Sequence, residues 1–242
     1  MICLLAAVTE ETRLIREALE GCVPRSENGV TLMPGRLSGH DVCLAHSGIG
    51  KAAAAATAIT LLHSCEPQAL WLFGCGGAYP GSGLSIGDLA LADAEIFGDE
   101  GVATPRGFRD LAAMGLAMRL DSGQFFNTWP VDPILHDWAL PTLTAHAGKT
   151  ARALGNGRFV TVSTCTGTLH NAKEIARRTG GLCENMEGAA VALACQQMAV
   201  PLLEVRGISN LVEDHNPRQW DLPEGMAAAQ HAILALLQAW RG

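Results

Sequence analysis

A chain of 242 residues is long enough to bury one large core, and 48% hydrophobic against 17% charged residues makes it globular with a modest charged surface. A formal net charge of −7, with lysine and arginine nowhere clustered, argues against a phosphate-tracking face and so against nucleic-acid binding. Eight cysteines without CxxC spacing and eight dispersed histidines indicate neither a disulfide framework nor a zinc site, so we expect no metal, no cofactor and a reducing, cytoplasmic setting.

The apolar run from Ile2 to Val8 has no basic segment before it and runs into Glu10 and Glu11, which predicts a buried strand rather than a signal peptide. A helix from Glu10 to Leu19 follows. Val42 to His46 and Lys51 to Leu62 repeat the strand-then-helix order. The turn Ser47-Gly48-Ile49-Gly50-Lys51 between them lacks the spacing of a P-loop or a dinucleotide fingerprint. Ala69 to Phe73 is the next strand, and Gly74-Cys75-Gly76-Gly77-Ala78-Tyr79-Pro80-Gly81 reads as a glycine loop whose backbone amides can approach a ligand closely. Gly87 to Phe97 alternates through Leu89, Leu91, Asp93 and Glu95 as an extended strand. Gly98 to Pro141, rich in glycine, proline and aromatics, reads as loops and short helices over one end of the sheet. Regular elements return with a strand from Arg158 to Val162, helices from His170 to Arg178 and Glu187 to Met198, a strand from Leu202 to Arg206 and a closing helix from Glu224 to Trp240. The alternation predicts an α/β domain around a mostly parallel sheet, one domain over residues 1–242, and no run approaches the length of a membrane span.

Two segments carry the strongest chemical pattern. Glu187 stands at the head of an alanine-rich helix, where a carboxylate can grip two vicinal sugar hydroxyls and tighten as positive charge develops on the ring. The helix macrodipole alone also favours an acid there. Met186 would lie against the apolar face of the sugar, and Gly188, Ala189 and Ala190 permit close approach, while Glu184 reads as a solvated or structural acid. Asn210 follows a strand, where α/β ligand sites form, although asparagine is also a common turn residue. Glu11, just past the first strand, is a candidate general base toward water, with Glu10 as its competitor and a plain helix-start acid as the alternative.

The segments Glu184-Asn185-Met186-Glu187-Gly188-Ala189-Ala190 and Val205-Arg206-Gly207-Ile208-Ser209-Asn210 resemble the nucleoside phosphorylase and nucleosidase superfamily, and the resemblance covers nearly the whole chain. It implies an α/β, single-domain, three-layer αβα fold with a central mixed, twisted sheet. It also implies a small purine nucleoside as ligand, a homo-oligomer, and no membrane partner. The family's ribose-holding Met-Glu pair falls on Met186 and Glu187. Asn210 matches a position that is Asp in members acting on 6-aminopurines and Asn in those taking 6-oxopurines. An amide can donate to the oxygen at position 6 while its own oxygen receives the proton at N7, so Asn210 implies hypoxanthine or guanine as the leaving base. Arg206 and Ser209 match supporting positions of the same loop.

Glu11 aligns with the acid that hydrolytic members use to activate water, and the Gly-Asp-Pro type phosphate loop of the phosphorylases is missing, which implies water as nucleophile. Cys75 and Gly76 match a loop that contacts sugar and nucleophile, with Cys75 standing where nucleosidases commonly have Ser. Thr166, Gly167 and Thr168 match the segment whose backbone meets the base edge, a polar loop leading into the next helix being an equal reading. The Ser47 to Lys51 turn is assigned a fold-shaping role. The wording of Phe73 to Pro80, Gly98 to Val102, Ser163 to Thr168 and Glu184 to Ala190 further implies a subfamily whose substrate carries a 5′ extension ending in a carboxylate. Arg106, Arg109, Arg119 and Arg218 are the candidates to meet it, with Arg218 and Trp220 preferred because they follow the base loop.

Overall fold

A computed structural model describes residues 1–118 and 125–241. In chain order the elements are β1 (Ile2–Ala6), α1 (Arg13–Ala18), β2 (Arg25–Glu27), β3 (Val30–Leu37), β4 (His40–His46), α2 (Lys51–Cys65), β5 (Ala69–Ala78) and β6 (Leu89–Phe97). They continue with β7 (Gly101–Thr104), β8 (Gly107–Asp110), α3 (Leu111–Met114), β9 (Thr128–Pro130), α4 (Pro133–Lys149) and β10 (Leu154–Thr161). The chain then forms α5 (Leu169–Thr179), β11 (Cys183–Asn185), α6 (Gly188–Met198), β12 (Leu202–Leu211) and α7 (Leu222–Ala239).

The central strands are apolar at nearly every position because both faces of the sheet are covered. The main sheet runs β11-β10-β6-β12-β5-β1-β4-β3-β2, with β9 on β6. It is mixed. β1 is parallel to β4 and β5, and β12 to β5, whereas β6 is antiparallel to β12 and β3 to β4. β11 also pairs back onto β5, so β5, β12, β6, β10 and β11 close on themselves. On one face α2 and α6 pack through alanines, with Ala54, Ala58, Ala189 and Ala190 in one core. On the other α7 and α4 cover Trp71, Leu91 and Val205 with Ala139, Leu143, Ile233 and Leu236. This is the three-layer α/β/α arrangement with a mixed sheet. Among the described residues no helix is long and apolar enough to cross a membrane.

Several expectations change in ways that build the site. The glycine stretch after Phe73 is strand, not loop, through Ala78, since its neighbours crowd it too closely for anything but a glycine-rich strand. A Cβ on Gly76 would lie 2.5 Å from Cys183 Sγ, and one on Gly77 2.7 Å from Val212 Cγ2. β12 likewise continues past Arg206 and carries Ser209 and Asn210 within the sheet rather than in a turn beyond it. The region from Gly98 to Pro141 holds a hairpin, β7 with β8, and the first half of a long helix, α4, which tolerates Pro141 in its interior. The edge strand β2 and its neighbour β3 lie in the stretch after Leu19, where the sequence pattern predicts no element.

Candidate active site

A cavity of about 250 Å³ opens beyond the carboxyl ends of β1, β5 and β12, with β11 and the loop after β10 closing its far side. Of the residues singled out from the sequence, Glu11, Cys75, Gly76, Thr166, Met186, Glu187, Arg206, Ser209 and Asn210 line it.

Glu11 sits in a short 3₁₀ turn, Thr9–Thr12, that redirects the chain as it leaves β1. Its carboxylate is nearly covered, at 3% exposure, and is fixed by backbone alone. Oε2 accepts the N–H groups of Ala7 at 2.9 Å and Val8 at 3.3 Å, and Oε1 accepts that of Cys75 at 2.8 Å. A carboxylate offers about four acceptor positions, three of which these N–H groups occupy, and Glu11 lines the cavity, so the candidate base is within reach of water there. Gly74 makes this seat possible: a Cβ there would stand 2.4 Å from Glu11 Oε1. Glu10, the competing acid, is exposed and bonds its neighbour Thr9.

Glu187 stands immediately before α6 at 4% exposure, its side chain turned away from the helix's own N–H groups. Its Oε1 accepts the N–H of Gly50 at 3.0 Å, and its Oε2 lies 3.6 Å from Arg206 Nη1. The Ser47 to Lys51 turn therefore does more than shape the fold. Gly50 adopts φ 97°, a left-handed conformation that suits glycine, and in it the N–H reaches the carboxylate while Ile49 lines the cavity. The sharp turn ahead of Glu187 is tied by Asn185, whose Oδ1 accepts the N–H groups of Glu187 and Gly188 and whose Nδ2 donates to Glu95.

Arg206 is buried, donating through Nε to Glu204 Oε1 at 2.9 Å and through Nη1 to the Cys75 carbonyl at 3.2 Å. It thus joins the Glu187 seat to the strand that holds Glu11. Asn210 is oriented by Ser209, whose hydroxyl donates to Asn210 Oδ1 at 2.8 Å. The Cys75 thiol is pushed up to about 12, first by burial and then by the Glu11 charge, so it is a neutral thiol at ordinary pH.

Other expectations are corrected. Thr166 lines the cavity, but Gly167 turns away to accept the N–H of His215, and Thr168 caps α5 by accepting the N–H of Asn171. Arg218 is exposed in the turn Pro217–Gln219 and lines no part of the cavity, because that turn points it outward. Arg106 and Arg109 belong to the β7–β8 hairpin, away from the cavity lining, and Arg119 lies outside the described residues. Trp220 does line the cavity, together with Leu222, Met226 and Ile49, in an apolar wall. Glu184 is not solvated: it is 8% exposed and lines the cavity, held by Tyr79 and Thr166, which leaves the structural reading of that acid standing. Sequence reasoning missed the Gly50 N–H and the place of Glu184 in the cavity wall because each depends on a partner far along the chain.

The sequence matches the phosphorylase superfamily over residues 1–239. The chain belongs to that family. It is 33% identical over 204 residues to a futalosine hydrolase from Thermus thermophilus, covering 83% of each chain. It is 26% identical to a 5′-methylthioadenosine/S-adenosylhomocysteine nucleosidase from a Shewanella species, over 98% of this chain and 94% of the other. In fold it is similar to the nucleosidase of the latter type from Neisseria meningitidis, solved in complex with methylthio-immucillin-A, with a TM-score of 0.85 at 21% identity over 99% of both chains. With these relatives it is an enzyme of the nucleosidase type, a hydrolase of N-glycosyl bonds.

Proposed function

We propose that the protein hydrolyses the N-glycosidic bond of futalosine, releasing hypoxanthine and dehypoxanthine futalosine, within the futalosine route of menaquinone biosynthesis. The observation that carries this reading is Asn210 at the cavity, an amide where a 6-aminopurine enzyme of this family would hold a carboxylate. The similarity to the Thermus thermophilus futalosine hydrolase supports it independently.

In the reaction, the hypoxanthine begins to leave as Asn210 bonds its O6 and N7 edge, and solvent delivers the proton that an amide cannot. Positive charge develops on a ribose held between Met186 and the Glu187 carboxylate. Glu11 orients water at the anomeric carbon and takes its proton. Phosphate is a poor alternative nucleophile: the cavity lining carries three carboxylates, Glu11, Glu184 and Glu187, against one guanidinium, Arg206, among the described residues. Arg206 is already engaged by Glu204, Glu187 and the Cys75 carbonyl. A phosphate dianion would meet net repulsion there. The apolar wall of Ile49, Trp220, Leu222 and Met226 suits the aryl end of the 5′ extension.

Chromatography of the base released from futalosine, with and without phosphate, tests the assignment. Hypoxanthine at a rate indifferent to phosphate is expected. A strict need for phosphate would make the protein a phosphorylase, and intact futalosine would remove it from this reaction.

A further inference from the structure

Behind the Glu187 seat lie two acids that line no part of the cavity. Glu95 on β6 and Glu204 on β12 are both fully buried, and a Cβ on Gly188 would stand within 2.7 Å of an oxygen of each, so the two carboxyl groups converge under the start of α6. Arg206, the guanidinium beside them, also faces Glu187. Three carboxylates around one buried cation would leave excess negative charge in the core, which a single proton relieves. Burial, then the Glu204 charge, keep that proton on Glu95. It gives Glu204 Oε2 the donor that no other described residue supplies.

From this pair the contacts close into a ring around Glu187. Glu95 Oε1 accepts from Asn185 Nδ2 at 2.6 Å, and its Oε2 accepts the Thr161 hydroxyl at 2.7 Å. Asn185 Oδ1 in turn accepts the Glu187 N–H at 3.0 Å, and Thr161 Oγ1 accepts the Ala189 N–H at 2.7 Å, so this arm fixes the backbone on which Glu187 stands. On the other arm Glu204 Oε1 accepts Arg206 Nε at 2.9 Å, and Arg206 Nη1 lies 3.6 Å from Glu187 Oε2. Because Glu204 is the nearer anion, the guanidinium is neutralised without drawing Glu187 onto itself, and Glu187 Oε2 keeps acceptor capacity for a sugar hydroxyl.

We propose that Glu95 and Glu204 form one positioning unit for N-glycosidic bond hydrolysis, holding Glu187 by its backbone through Asn185 and by its side chain through Arg206 so that its carboxylate stays available to the ribose. The inference rests on the ribose-gripping role proposed for Glu187 and is independent of which purine leaves. One negative charge shared by the pair balances Arg206. Either acid alone can carry that charge while a glutamine in place of the other supplies the donor. With both replaced, Arg206 has no shared anion and draws Glu187 onto itself, which loosens a grip that must tighten as charge develops on the sugar.

Steady-state base release from futalosine and from methylthioadenosine, paired with calorimetric titration of free hypoxanthine, tests this in the intact enzyme, with Glu187→Gln as the reference. Glu95→Gln and Glu204→Gln are each expected to lower kcat by about tenfold or less, the scale of one hydrogen bond. The double variant is expected to lower it by about tenfold more than the product of the two, with KM and hypoxanthine affinity nearly unchanged, since the loss falls on the transition state. Losses that simply multiply overturn the proposal. So does a loss confined to KM, or one shared by hypoxanthine binding, which marks a structural role. Should the double variant fail to fold, Glu204→Gln decides: a kcat as low as that of Glu187→Gln shows that Glu95 does not take over the charge, and the unit falls. A Glu187→Gln enzyme with wild-type kcat refutes the ribose reading itself, a failure separate from that of the pair.

Discussion

The chemistry of this site lies in a few side chains whose types are set by what each must bond. Asn210 is the sharpest case, since its Oδ1 accepts the Ser209 hydroxyl and its Nδ2, which donates to the Leu211 carbonyl at 3.2 Å, lies beside the bare backbone of Gly77 with a second N–H to offer. Replacing the amide with a carboxylate removes the only donor it can offer to O6. Asn210→Asp should therefore lower kcat/KM for inosine and raise it for adenosine, shifting their ratio by about tenfold or more, as loss of a bonded group in a specific pocket does. An unchanged ratio in steady-state assays would refute this role for the amide. Met186, Glu187, Asn210 and Glu11, which the cavity brings together, were legible in the sequence because the role proposed for each resides in a side chain near a recognisable element end. Gly50 and Glu184 were not. One contributes a backbone N–H made available by its φ, and the other depends on a strand pairing that brings Tyr79 from 105 positions away.

At the scale of elements, the decisive feature is that β5 keeps its strand geometry through Gly74, Gly76 and Gly77. Glycines mark loops in most sequences, so this stretch read as a loop. Here they answer crowding, with Glu11 Oε1 and Arg206 Nη1 within 3.0 Å of where a Gly74 Cβ would be. Gly74→Ala is expected to displace the Glu11 carboxylate and lower kcat by about a hundredfold, the scale on which a misplacement of roughly 1 Å acts in an active site. Glu11→Gln, which keeps the position but loses the base, provides the reference: it should abolish turnover and still bind hypoxanthine. A Gly74→Ala enzyme with wild-type kcat would show that the close seat of Glu11 is dispensable. The helix α4 was hidden for the opposite reason, because Pro141 and the aromatics around it imitate loop composition while Asp132 caps the helix start by accepting the N–H of Leu135.

At the scale of the whole molecule, the sequence pattern conveyed a layered α/β protein, but not that β11 returns to β5, since such pairings join distant segments and leave no local periodicity. The direct antiparallel pairing of β6 with β12 brings Glu95 and Glu204 together beside Gly188, where a Cβ would stand within 2.7 Å of an oxygen of each. Arg206 pairs with Glu204. Burial first, and the Glu204 charge next, raise Glu95 well above the carboxylate range, and a proton on it supplies the donor that Glu204 Oε2 lacks among the described residues. An acid raised by folding contributes its stability fully below the unfolded value, about 4.3, and loses it as pH rises through the folded value. Glu95→Gln removes this titration. Its melting temperature should gain on that of the wild type steadily as pH rises from acid to alkaline, and a constant difference would place the proton elsewhere.

Selection of a 6-oxopurine and use of water as nucleophile are the two proposed properties that define this nucleosidase. The most direct test is a competition in which futalosine and methylthioadenosine, at equal concentration, are given to the purified enzyme in phosphate-free and phosphate-containing buffer, and the released bases are separated and counted. We predict that hypoxanthine greatly exceeds adenine and that phosphate leaves the ratio and the rate unchanged. Adenine as the main product, or base release that appears only with phosphate, would contradict the account.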